Sequence, residues 1–395
     1  MKKTHLLLAV AAITLASCAN DDYVGEEQQG TSATSGIIAF SAGSNATTRA
    51  DLTGEGAATK LANKFFTYGV KTVGGAESVV FPTYTVAYEG TANAGAAGST
   101  DSNTKGWEYV GLTGFDSQTI HYWDYSATNY TFQAWSLTDG GATVEAKTKN
   151  SLEVKGTADD LSKLYIADLV SIDKSTSTTG TNTYGGVVTF TFRNGATKVR
   201  FGMYETIPGY KLSKVTFRSK ANKFTDSNSN ALLDGTFNGQ GATSGTYTVT
   251  YGADGHVKLD NTATVAVADH LDFGTFDQGN ISEDGANPTY AGGGYQIVLP
   301  NEDNNADMTL YIDFTLTADN GTDVINVKGA SVTVPAASMK WLPNYAYTYL
   351  FKVTKDMNGT TGQEGTDPTK LYPITFDATV VDEAVVNPTV ETEVK

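Results

Sequence analysis

An all-β chain of two tandem antiparallel β-sandwich domains is the fold class the sequence predicts, and three observations predict it. The composition favours sheets and turns: there are 41 Gly, 21 Tyr and 17 Phe, and charged residues make up only 18%. Apolar residues recur in short alternating runs separated by Gly, Asn, Asp, Ser and Thr, the pattern of sandwich strands. The length, 395 residues, suffices for two cores at roughly 150 residues per domain.

The first element, residues 1–17, reads as a secretory signal. Lys2 and Lys3 form its positive end, and Leu6 to Leu15 supply an apolar stretch shorter than the ~20 residues of a spanning helix. Leu15-Ala16-Ser17-Cys18 looks like a lipobox: small residues for a signal peptidase, then a thiol able to carry a diacylglycerol. Cys18 is the only cysteine, so no disulfide forms within the chain. Its place directly after the apolar stretch favours lipidation over a buried or incidental thiol. Each buried acyl CH₂ contributes about 0.8 kcal/mol, so several chains hold a protein at a bilayer.

Glu26 to Ser35 is a polar tether. It leads to a lone strand-like run, Ile37 to Ala42, with Ile38 and Phe40 on one face, and then to a second loose stretch, Gly43 to Asp51. A single strand is not stable alone, so this one must pair with the main body.

The first sandwich is expected over residues 50–172. Phe66, Tyr68, Val70 and Thr72 share one face of a strand; Val79 to Tyr88 and Trp107 to Tyr109 follow. In Asn129 to Trp135, Tyr130, Phe132 and Ala134 face the core, and Leu164 to Leu169 closes the domain. Residues 173–186, rich in Ser, Thr, Gly and Asn, read as the linker. The second sandwich then spans 187–395 and opens with Val187 to Phe192 and Lys198 to Tyr204. It ends with two alternating runs: Ile374, Phe376, Ala378 and Val380 on one face, and finally Val390, Thr392 and Val394 against Glu391, Glu393 and Lys395.

Several functions are excluded. A formal net charge of -16 leaves no basic footprint for nucleic acid. No GxGxxG, Walker A, GxSxG, HExxH or EF-hand spacing occurs, and only four histidines exist, so no catalytic, cofactor or metal residues are assigned and no enzyme is expected. The pairs Asp159-Asp160 and Glu302-Asp303 read as solvated turns, since adjacent carboxylates point to opposite strand faces. Asn301 to Asp307 is a weak calcium candidate. His121 reads as a satisfied histidine, and Trp107, Trp123, Trp135 and Trp341 as core, not as a sugar-stacking platform.

Taken in order, several segments resemble the fimbrillins, the type V pilus subunits of Bacteroidetes-type bacteria. They are the lipobox at Cys18, Thr47-Thr48-Arg49-Ala50, Tyr122-Trp123 with Tyr130-Thr131-Phe132-Gln133-Ala134, Tyr165 to Leu169, Phe192 to Phe201, Trp341 to Tyr349, and Ile374 to Asp382. Asp21 and Asp22 after Cys18 resemble the tract that routes such lipoproteins to the cell surface.

The resemblance implies transthyretin-like sandwiches and assembly by strand exchange. A lipid-anchored precursor at the cell outer membrane is cut by an arginine-specific protease, its N-terminal strand leaves, and a C-terminal strand of another subunit enters the groove. The result is a head-to-tail homopolymer, the surface fimbrium, which serves adhesion. On this sequence the scheme makes 18–49 a lipidated propeptide, Arg49-Ala50 the cleaved bond, Ile38 and Phe40 the displaced strand, and Val390, Thr392 and Val394 the donor strand. The bland readings are a linker charge at Arg49 and a plain edge strand at the C-terminus. The alternative function is a monomeric surface lipoprotein that binds glycans.

Overall fold

The computed structural model describes residues 36–44, 52–90, 100–103, 105–218, 242–267, 276–277, 279–302, 307–354, 377–382 and 390–393. Cys18, Arg49, Ala50, Val394 and the signal segment lie outside them. The described chain is all-β, as the sequence predicts. Two short α-helices, Gly54–Lys60 (α1) and Ala158–Ser162 (α2), interrupt it.

Four sheets are formed among the described residues. The largest runs in the order Leu52–Thr53 (β2), Phe40–Ser44 (β1), Val188–Asn194 (β11), Leu164–Ala167 (β9), Asn129–Leu137 (β6), Lys64–Val73 (β3), Ala76–Tyr88 (β4) and Trp107–Glu108 (β5), with Val170–Asp173 (β10) also paired to β6. A four-stranded sheet holds Val257–Val267 (β15), Ala242–Tyr251 (β14), Ser151–Thr157 (β8) and Thr143–Thr148 (β7).

The C-terminal half contributes two more. One runs Thr289–Tyr290 (β16), Thr197–Glu205 (β12), Ala346–Val353 (β20), Asp377–Asp382 (β21) and Val390–Glu393 (β22), with Gln296–Val298 (β17) also on β12; the other is Tyr210–Arg218 (β13), Met308–Ala318 (β18) and Val324–Val334 (β19). Most pairs are antiparallel. Two are parallel, β1 with β11 and β12 with β20.

Strand alternation places the cores. Phe201 and Met203 of β12, Tyr349 and Phe351 of β20, and Leu310, Ile312, Phe314 and Leu316 of β18 bury one cluster between the two C-terminal sheets, closed by Trp341. In the first sheet Tyr130, Phe132 and Ala134 are fully buried, as their alternation predicts. Their intervening residues Thr131, Gln133 and Trp135 are buried as well. The four-stranded sheet supplies the cover: Trp135 and Ile166 pack with Val154, Tyr247, Val249 and Leu259.

Two segments that the sequence reading puts after the linker build this first half. β11 lies between β1 and β9, and the β14–β15 hairpin pairs with β8. Composition marks 173–186 as a boundary because turn residues crowd there; the chain instead turns back through them to complete the sheet it has left.

Candidate strand-docking groove

The N-terminal strand sits in a groove built by the first sheet. Ile38 and Phe40 are wholly buried, and Ala39 and Ala42 are 2% and 1% exposed. Such burial on both faces is unusual for a strand beside a sheet end. One edge of β1 pairs with β11 in parallel register, Phe40 opposite Val188 and Ala42 opposite Phe190. The other edge is shared by β2, through Gly43 and Ser44, and by the 121–123 segment, where Ile37 bridges Tyr122.

Main-chain groups at the start of the strand are held individually. The Ile38 N–H donates to the His121 carbonyl at 2.9 Å, the Trp123 N–H donates to the Gly36 carbonyl, and the Val188 N–H donates to the Ala39 carbonyl at 2.8 Å. The Tyr109 hydroxyl donates to the Ile38 carbonyl at 2.8 Å. These bonds account for backbone polar groups that would otherwise be buried unpaired.

The floor of the groove is aromatic. Five rings surround Phe40: Phe81 at a centroid distance of 5.1 Å, Tyr109 at 5.5 Å, Phe190 at 5.8 Å, Phe132 at 6.1 Å and Phe65 at 6.4 Å. Phe190 is stacked on it and the others meet it at steep angles, both favourable for ring quadrupoles. Gly69 makes room for this cage: a Cβ there would come within 2.8 Å of the Phe132 ring and 3.0 Å of Phe81.

Polar groups brace the wall. Glu108, fully buried, accepts from the Thr100 N–H at 2.7 Å, the Thr100 hydroxyl at 2.8 Å, the Ser102 hydroxyl, and the Tyr109 and Val110 N–H groups at 3.0 and 3.2 Å. It thereby fixes the turn that carries Tyr109. His121 lies edge-on to Phe81, and its Nε2 is 3.0 Å from the Tyr84 hydroxyl. Burial, with help from the Lys71 charge, lowers its pKa. Burial pushes the Tyr109 phenol well above its ordinary range, so it stays a donor. At the mouth, Lys71 Nζ stands 2.6 Å from Asp124 Oδ2 and holds that carboxyl well below the usual carboxylate range.

The structure thus brings the two predicted strand residues, Ile38 and Phe40, into one site. Arg49 and Ala50 fall in the 45–51 connection from β1 to β2, outside the described residues. Of the expected donor, Val390 to Glu393 forms β22, the last strand of its sheet, paired antiparallel with β21. Nothing in the sequence marks Glu108 or Gly69 as parts of the wall; one acid between Trp107 and Tyr109, and one Gly inside an aromatic strand, are the only signals.

The other sequence candidates have structural places. All four tryptophans are buried. Asp160 completes a capping box with Thr157 at the start of α2. Among the described residues no group of three or more His, Cys, Asp or Glu is placed to hold a metal; residues 303–306 of the calcium candidate lie outside them.

No known protein family profile matches the chain, and no curated protein matches it. Its similarity is to solved structures. A provisionally described cell adhesion protein of Parabacteroides distasonis is 8% identical, with 89% of this chain and 98% of that one covered at a TM-score of 0.42. One of Bacteroides ovatus is 12% identical, with 91% and 98% covered at 0.35. The fimbrial anchor protein Mfa2 of Porphyromonas gingivalis is 10% identical, with 88% and 97% covered at 0.30. Overlaps of this size carry no argument about function.

Proposed function

We propose that the chain is a structural subunit of a surface fimbria of the fimbrillin type. It is exported, lipidated at Cys18 and held at the cell outer membrane, cut between Arg49 and Ala50 by an arginine-specific protease, and joined head-to-tail to further copies by strand exchange, so that the filament supports adhesion. The observation that carries this reading is the seating of Phe40. A segment at the very start of the described chain supplies the central ring of the first core, yet only the 45–51 connection ties it covalently to the body of the domain.

Burying Ile38 and Phe40 contributes roughly 1.5–3 kcal/mol each. While the segment is tethered its effective concentration is on the order of millimolar, so a foreign strand competes poorly with it. Cutting the tether turns the segment into a dissociable peptide. Its loss opens an apolar groove flanked by unpaired β11 edge groups, a template for β-augmentation. Because donor and acceptor surfaces differ, the chain of insertions does not close and a filament grows.

Limited trypsin treatment of the purified precursor tests this reading. Loss of the segment before Ala50 followed by SDS-resistant ladders is the expected result; cut protein that stays monomeric with Phe40 in place refutes it. A second reading, the monomeric glycan binder, is favoured by one observation: Tyr122 and Tyr125, neighbours in one loop, are 58% and 49% exposed. Polysaccharide binding by an uncut monomer, without ladders, would select it.

A further inference from the structure

The groove selects its occupant by side chain, and its slots can be read in order. The Ile38 slot requires a main-chain N–H for the His121 carbonyl as well as an apolar side chain. The opposite face is closed at Ala39, which is 2% exposed. The Phe40 slot is the five-ring cage, the Ser41 position is half-exposed, and the Ala42 slot, 1% exposed, admits only a small residue. The required pattern is therefore large aliphatic, small, aromatic, polar, small: Ile38-Ala39-Phe40-Ser41-Ala42.

The identical inward residues, Ile, Phe and Ala at alternate positions, recur once in the sequence, in the same chain direction, at Ile374-Thr375-Phe376-Asp377-Ala378. We infer that the segment of a second copy that refills the groove is Ile374 to Ala378, entering parallel to β11 with Phe376 in the Phe40 cage. Asp377 then takes the half-exposed Ser41 position, where a carboxylate keeps its water. Thr375 takes the Ala39 position, the one enlargement at a buried slot.

The terminal run fits worse in each register of the same parallel direction. With Val390 or Thr392 in the Ile38 slot, Glu391 or Glu393 lies at the closed Ala39 position, where a carboxylate loses its hydration without a partner. With Val390 in the Phe40 slot, Pro388 takes the Ile38 slot and has no N–H for the His121 carbonyl. With Val390 in the Ala42 slot, Pro388 enters the ring cage and leaves much of it unfilled. In the free chain, Asp377 pairs with Glu393 of β22, and Ala378 pairs with Thr392 of β22 on one side and Phe351 of β20 on the other, so transfer breaks the pairs at that one end of β21 on both of its edges.

This inference rests on the strand-exchange reading, and one experiment separates the two. Full-length protein is cut with limiting trypsin and its freed propeptide removed, and fluorescent peptides of residues 372–380 and 388–395 are titrated by anisotropy. The 372–380 peptide is expected to bind cut but not uncut protein, and Phe376→Ala within it to weaken binding at least roughly tenfold. In the full chain, Phe376→Ala is expected to abolish SDS-resistant ladders; the peptide arm holds even if that variant misfolds. Binding by the 388–395 peptide alone, or wild-type ladders from the Phe376→Ala chain, overturns the inference and leaves strand exchange standing. Cut wild-type protein that binds neither peptide and forms no ladder removes both.

Discussion

The Tyr109 hydroxyl donates to the Ile38 carbonyl at 2.8 Å while accepting from the His121 N–H at 3.2 Å. One phenol thus joins the main chain of the N-terminal strand to the main chain of the wall beside it. Because it bonds a carbonyl, it holds any strand seated there and leaves the choice of strand to the slots around it.

Tyr109→Phe removes that bridge and leaves a buried carbonyl and N–H unpaired. We expect a loss of about 1–3 kcal/mol, measured by urea unfolding of the uncut protein, and faster departure of the segment before Ala50 after trypsin treatment. Unchanged stability would show that the bridge contributes nothing.

Phe40→Ala empties the cage. Truncating a buried Phe costs about 3–5 kcal/mol, so the melting temperature should fall well below that of Ser41→Ala, a half-exposed neighbour on the same strand. Equal effects at the two positions would contradict the burial described.

Gly69→Ala should destabilise although it adds a single methyl. That methyl meets Phe132 at 2.8 Å, and overpacking of this kind costs roughly 1–3 kcal/mol. A crystal structure of the variant should show the Phe132 or Phe81 ring displaced; an unmoved cage with full stability would refute the crowding.

His121 sets a pH dependence. Its folded pKa lies below the unfolded value of about 6.5, so the unfolded chain takes up a proton first as pH falls. Its contribution to stability is complete above that value and is lost progressively below it, levelling off under the folded pKa. Unfolding free energies from pH 8 to pH 5 should decline through this window in the wild type and less steeply in His121→Gln. Identical slopes would assign the dependence elsewhere.

Much of this site was legible in sequence. The alternation of Ile38 and Phe40 foretold a strand that must dock, and Tyr130, Phe132 and Ala134 foretold the core face opposite. Both signals are local, carried by side-chain period within one segment. The limits had a physical cause: pairing between distant segments leaves no local mark. The parallel union of β1 with β11, the burial of both faces of β6 and the buried Glu108 all depend on what the chain brings back from elsewhere. Even the strand's bounds moved, from Ile37–Ala42 in sequence to Phe40–Ser44 with Ile37 as a separate bridge, because the 121–123 segment takes over the pairing at its start.

The return of β11 and of the β14–β15 hairpin to the first half carries a kinetic consequence. Phe190 and Phe192 complete the cluster around Phe40, and Tyr247 and Leu259 cover the reverse of the same sheet. A nascent chain ending near residue 186 therefore lacks its closing strand and the β14–β15 half of its outer layer, and it cannot complete this core from the amino end alone. Loop closure over such separations slows folding, so this half of the molecule closes its core only once the chain through residue 259 has become available.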